Sequence, residues 1–214
     1  LGPEVIERCT TPRGELQLQR RGDAYEIISN GCFLMATYNG ESERLLVTKA
    51  LAAAAQPERV LVGGLGVGFS LGAALADARV RAVTVVEIEE RLAAWNRSHL
   101  APFSGHGLDD PRTRVVIADL IDWLDQAEGP YDAICLDIDN GPDWTVTEAN
   151  RRLYGEAGLL TLKRLLAPGG ALAVWSAGAA PWYVESLQRH FGRVETIPVE
   201  QVRGEPDYVY LACV

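Results

Sequence analysis

The chain has 214 residues, 48% of them hydrophobic and 23% charged, with a formal net charge of −9. That is enough for one well-buried domain with a small appendage, and the lack of any run of about 18 apolar residues excludes a transmembrane helix. The acidic balance, with no Lys/Arg cluster beyond Arg20-Arg21 and Arg151-Arg152, argues against a nucleic-acid partner and is compatible with a cationic substrate.

The first 40 residues read as β structure. Gly14-Glu-Leu-Gln-Leu-Gln alternates, Arg21-Gly22-Asp23 carries turn chemistry, and Asn30-Gly31 marks a second tight turn before Cys32-Phe-Leu-Met. Two or three antiparallel strands are expected there, forming a small appendage over 1–40. From 41 to 55 the apolar period changes to that of a helix, ended near Gln56-Pro57.

Beyond Pro57 strands and helices alternate. Strands are expected at about 60–64, 83–87, 113–117, 132–137, 171–175, 193–197 and 208–213, and helices at about 69–78, 89–98, 119–127, 147–166 and 181–190. Ala167-Pro-Gly-Gly170 stops the long helix and turns the chain into the fifth strand. This alternation implies an α/β fold over 41–214, a doubly wound and mostly parallel seven-stranded sheet whose last two strands form an antiparallel edge pair.

The cysteines (Cys9, Cys32, Cys135, Cys213) are scattered without a C-x-x-C pair, and His99, His106 and His190 share no metal-ligand spacing. The expectation is a reducing, cytoplasmic setting with free thiols and no metal site.

The densest chemical signal is Val60-Leu-Val-Gly-Gly-Leu-Gly-Val-Gly68, in which Gly64, Gly66 and Gly68 follow an apolar strand and precede an alanine-rich helix. Such a loop lets backbone approach a ligand that side chains would exclude. The dinucleotide fingerprint Gly-x-Gly-x-x-Gly fails here. Counting from Gly64 or Gly66, the third glycine position holds Phe69 or Leu71, and counting from Gly63 the second holds Leu65. Gly-x-Gly-x-Gly with an acid ending the next strand suits an adenosyl sulfonium, which has no pyrophosphate to cradle.

Acids recur where such a sheet binds its ligand, at the carboxyl ends of the strands. Glu87 is placed to accept hydrogen bonds from a ribose diol, and Asp119 from the amine of adenine or, alternatively, from the first turn of the helix at Leu120. Asp137 and Asp139 follow the fourth strand. Asp137 is either a reactive carboxylate or a strand-end residue binding loop amides. Trp144, Tyr154, Trp182 and Tyr183 fall near the same rim, whereas Trp175 lies within a strand and suits the core.

In order, Leu61-Val-Gly-Gly-Leu-Gly-Val-Gly, Val86-Glu87, Asp110-Pro-Arg-x-x-Val-Val-Ile-Ala-Asp119, Tyr131-Asp-Ala-Ile-Cys-Leu-Asp137 and Leu166-Ala-Pro-Gly-Gly170 together resemble the spermidine synthase (polyamine aminopropyltransferase) family. The resemblance implies the class I S-adenosylmethionine-methyltransferase fold. It implies S-adenosylmethionine or its decarboxylated form as co-substrate, no metal, and a small amine as acceptor, and it leaves a homodimer open. Glu87 would bind the ribose, Asp119 the adenine, and Asp137 would act beside the reacting centre with Asp139. Glu41, Asn140 and Trp182 would shape the acceptor site. The chain departs from the family at Val67, where an aspartate is usual, at Asn140, which replaces the second acid of Asp-x-x-Asp, and at Glu41, where a tyrosine is usual. Near residue 200, Val199-Glu-Gln-Val-Arg-Gly204 replaces a Tyr-Pro-x-Gly-type segment. Small-molecule methyl transfer and a non-catalytic nucleoside-binding module are the alternatives on the same scaffold.

Overall fold

A computed structural model describes residues 2–145, 148–201 and 204–214. The N-terminal part is a four-stranded antiparallel sheet in the order β1(Glu4–Thr11), β2(Gly14–Arg21), β3(Ala24–Ser29) and β4(Cys32–Ala36). Asn30 and Gly31 both take positive φ (51° and 78°) between β3 and β4, as a tight hairpin turn requires. The sequence reading missed β1. Glu4, Glu7, Arg8 and Thr10 leave it little apolar alternation, and as an edge strand it is largely exposed. Leu16 and Leu18 of β2, with Ile27 of β3, face the rest of the molecule and pack with Val67, Phe69, Leu92 and Trp95.

The second sheet has seven strands in the order β10-β11-β9-β8-β5-β6-β7. These are β5(Arg59–Gly63), β6(Ala82–Glu87), β7(Thr113–Ile117), β8(Tyr131–Leu136), β9(Leu166–Ser176), β10(Arg193–Val199) and β11(Asp207–Cys213). Strands β5 to β9 run parallel, while β11 pairs antiparallel with both β9 and β10. The helices are α1(Glu41–Ala53), α2(Phe69–Ala76), α3(Glu90–Asn96), α4(Leu120–Gln126), α5(Arg151–Tyr154), α6(Glu156–Leu165) and α7(Pro181–His190).

Alternate strand residues feed two cores. Leu61, Ile134, Leu136 and Leu172 pack on one face, and Val60, Val62, Val83, Val85 and Cys135 on the other. Burial on both faces is why these strands read as continuous apolar runs. Two expectations need correction. The long helix over 147–166 is broken at Gly155, whose ψ of 175° is extended, into α5 and α6; Thr147 lies outside the described residues. The Ala167-Pro-Gly-Gly170 segment belongs to β9, where the register against β8 shifts and Gly169 takes φ 72°.

The strand order reverses between β5 and β8, and the crevice at their carboxyl ends is where such a sheet binds ligands.

Candidate active site

The glycine loop leaves β5 at this crevice. The Gly64 N–H donates to the Val86 carbonyl at 2.9 Å, and the Asp137 N–H donates to the Gly63 carbonyl at 2.9 Å. Gly64 has φ 89°, and a Cβ there would collide with the Asp137 carbonyl oxygen. The loop therefore runs backbone against backbone past the end of β8. Gly66 also has positive φ, with the Met35 thioether lying where its side chain would be, and Gly68 opens α2. Val67 is buried in the apolar cluster that seats the N-terminal sheet.

Glu87 ends β6 almost fully buried. One carboxylate oxygen accepts from the Leu65 N–H at 2.9 Å and the other from the Glu89 N–H at 2.7 Å. Burial pushes its pKa up, against the opposing pull of these amides. The carboxylate thus braces the glycine loop. Asp119 takes the alternative role foreseen for it. It caps α4 by accepting from the Ile121 N–H at 2.8 Å through Oδ1, while remaining half-buried at the rim.

Asp137 keeps some solvent contact as a residue, but its carboxyl is enclosed by protein. Its pKa is pushed well up, first by that enclosure and then by the charges of Glu43, Asp207, Asp139 and Glu87. Two of these acids come from distant elements. Glu43, in the first turn of α1, is 8% exposed and accepts from the Ser42 hydroxyl at 3.0 Å. Its pKa is raised by burial, with Asp207 adding to the shift and Arg44 opposing it. Asp207, at the start of β11, is half-buried and accepts from Gln201 Nε2 at 2.6 Å. Burial raises its pKa, against the nearby Ser42 and Trp175 side chains. The Trp175 indole N–H is buried and finds no hydrogen-bond partner of good geometry.

Among the described residues, no ion pair from Lys, Arg or His reaches Glu43, Asp137 or Asp207. No three His, Cys, Asp or Glu side chains among them are arranged to hold a metal ion.

The remaining expected residues divide. Asp139 is buried and engaged, accepting from Asn150 Nδ2 at 2.8 Å and from the Tyr154 hydroxyl at 2.9 Å. Asn140 joins the same loop to the end of β9, its carbonyl accepting from the Ala177 N–H at 2.9 Å. Trp182 is 41% exposed, donates to Asp143 at 2.5 Å and meets the Tyr183 ring edge-on. Among the described residues, no hydrogen bond or ion pair ties Glu41 to this cluster. It is exposed at the outer side of α1, and the acid that α1 buries is Glu43. Sequence reading did not place Glu43 or Asp207 in the site; the helical period that puts Glu43 on one face with the buried Leu46 and Val47 could have pointed to the first, and Asp207 carries no such signal. Of the divergent segment near residue 200, Val202 and Arg203 lie outside the described residues.

Comparison with known proteins agrees with this geometry. The profile of the Spermine/spermidine synthase domain matches residues 41–192. A polyamine aminopropyltransferase of Prochlorococcus marinus (strain MIT 9313) is 30% identical over 188 residues, covering 86% of this chain and 61% of that protein. Another from Mycobacterium tuberculosis (strain ATCC 25618 / H37Rv) is 30% identical over 191 residues, 85% of this chain and 35% of its own. The chain thus spans less than two thirds of each of these relatives. A spermidine synthase crystallised with the transition state analogue AdoDATO superposes with a TM-score of 0.81 at 18% identity, covering 98% of this chain and 73% of that one. The Thermotoga maritima spermidine synthase gives 0.79 at 16% identity, covering 98% and 72%. These two likenesses establish the shared fold, and the profile match establishes the family: the chain belongs to the spermine/spermidine synthase domain family.

Proposed function

We propose that this chain binds decarboxylated S-adenosylmethionine and transfers its aminopropyl group to a small amine. The observation that carries the reading is the meeting of Glu43, Asp137 and Asp207 beside the glycine loop, with no ion-paired cation among the described residues. Enclosed carboxylates that raise one another's pKa are offset by a positively charged ligand. S-adenosylmethionine carries a carboxylate on its tail, and its decarboxylated form carries only an ammonium. At a separation of about 5 Å and an effective dielectric of about 20, one added carboxylate costs roughly 3 kcal/mol against each acid. The site therefore favours the decarboxylated tail, in line with the polyamine aminopropyltransferases that the chain resembles.

In this reading Gly64, Gly66 and Gly68 admit the nucleoside, Glu87 holds its ribose and Asp119 its adenine. Asp137 holds the acceptor ammonium and takes its proton, which frees the nitrogen lone pair. That nitrogen bonds to the carbon next to sulfur. The carbon–sulfur bond breaks, its electron pair stays on sulfur, and methylthioadenosine leaves as a neutral thioether. The raised pKa of Asp137 makes it a stronger base than an ordinary aspartate. Glu43 and Asp207 hold positive charge on the amine side, with Asn140 and Trp182 as outer walls.

Calorimetric titration with each sulfonium tests the reading. The decarboxylated form is expected to bind at least about 10-fold tighter. Equal affinities, or preference for S-adenosylmethionine, would favour methyl transfer. Nucleoside binding without turnover on any amine would favour a binding module.

A further inference from the structure

A cleft of about 710 Å³ lies outboard of the acids assigned to the nucleoside. One wall is the end of β6 and β7, with Ile88, Ala118 and Asp119; the other is the turn joining β1 to β2, with Thr11 and Arg13. Two large apolar side chains are open here, Ile88 at 37% and Ile117 at 46% exposure. Ile88 follows β6 and Ile117 ends β7, and an apolar floor beside a carboxylate edge suits a flat heteroaromatic ring.

The turn is tied to this rim. Arg13 Nε donates to Glu89 at 2.6 Å, Arg13 Nη2 donates to the Ile88 carbonyl at 2.7 Å, and the Thr11 hydroxyl donates to Glu89 at 3.2 Å. Glu89 in turn donates its N–H to Glu87, so a continuous chain of hydrogen bonds runs from Arg13 to the ribose-side acid. The charges of Glu87 and Asp119 both act on the Arg13 guanidinium, which places it within reach of both nucleoside acids. Glu89 is only 12% exposed in its side chain, against 40% for Arg13. The guanidinium is thus fixed through two of its nitrogens while the group itself still borders open space. A planar cation held in this way suits the face or edge of a purine.

We propose that Arg13 is a base-binding residue, and that the β1–β2 turn of the N-terminal sheet closes the adenine end of the adenosyl site. This rests on the adenosyl reading above. It differs from a surface ion pair, which would join the two sheets without touching the ligand and contribute little.

The test measures methylthioadenosine affinity by calorimetry, with melting temperature and saturating kcat alongside. Arg13→Ala is expected to weaken binding by about 5- to 30-fold with kcat changed less than about twofold. Arg13→Lys keeps the charge but loses the plane and the fork, and is expected to recover less than half of that loss on a logarithmic scale. Thr11→Val, which removes one hydrogen bond to Glu89 and leaves the guanidinium, is expected to bind within about twofold of the parent. Unchanged affinity in Arg13→Ala, or full recovery in Arg13→Lys, would overturn the assignment. If the parent protein itself does not bind methylthioadenosine, the adenosyl reading fails rather than the role of Arg13.

Discussion

Replacing Asp137 by Asn separates catalysis from stability at this site. The substitution keeps the shape, removes the proton acceptor and removes one charge from a group that also contains Glu43, Asp139, Asp207 and Glu87. Loss of a positioned general base costs about 10²- to 10⁴-fold in rate. At 1.36 kcal/mol per factor of ten, that is about 3–5 kcal/mol of transition-state stabilisation. Methylthioadenosine contacts are left intact, so its dissociation constant should stay within about threefold. The ligand-free protein should become more stable, because a carboxylate whose pKa is pushed up is destabilising when ionised. Steady-state kinetics, calorimetry and thermal melting on one preparation read all three. A kcat within about 10-fold of the parent would remove Asp137 from proton transfer. A fall in melting temperature would show that its charge is compensated in the ligand-free protein.

The stability difference should also depend on pH. Asp137 has a folded pKa above its unfolded value, so between about 4 and that raised value the folded state binds more protons and stability falls as pH rises. The gain in melting temperature of Asp137→Asn should therefore grow from pH 5 to pH 8, and a gain that shrinks would reverse the sign of the electrostatics. Asp119→Ser keeps a side-chain cap for Ile121 but shortens the reach toward adenine. It should weaken methylthioadenosine binding at least about 10-fold with little change in melting temperature, and unchanged binding would leave Asp119 as a cap alone. Gly64→Ala places a methyl group against the Asp137 carbonyl at φ 89°. Strain and overpacking of about 2–5 kcal/mol should lower the melting temperature by at least about 5 °C, and an unchanged melt would contradict the close backbone approach.

Much of the nucleoside side could be read from the chain, because the strands that carry it are local signals. Val60–Gly63 and Ala82–Glu87 are apolar runs ended by glycine or acid, and the position of an acid at a strand end is set by the strand itself. The amine side could not be read in this way. Glu43 sits in the first turn of a helix, where an acid is expected for the helix dipole alone, and Asp207 opens β11, an interior strand whose period says nothing about its first residue. Only the packing of α1 across β8 and β11 brings them to Asp137. The burial of Val67 could not be read either: its neighbours Leu16 and Leu18 lie in a different sheet, so it follows from tertiary packing. The strand at Glu4–Thr11 and the break at Gly155 escaped because polar edge strands and short helical interruptions carry weak periodicity.

The most direct measurement is a single incubation of the protein with S-adenosylmethionine, its decarboxylated form and a linear diamine, with products identified by mass spectrometry. The carboxylate cluster at Glu43, Asp137 and Asp207 predicts methylthioadenosine and an aminopropylated diamine in equal amounts. S-adenosylhomocysteine with a methylated amine would contradict it.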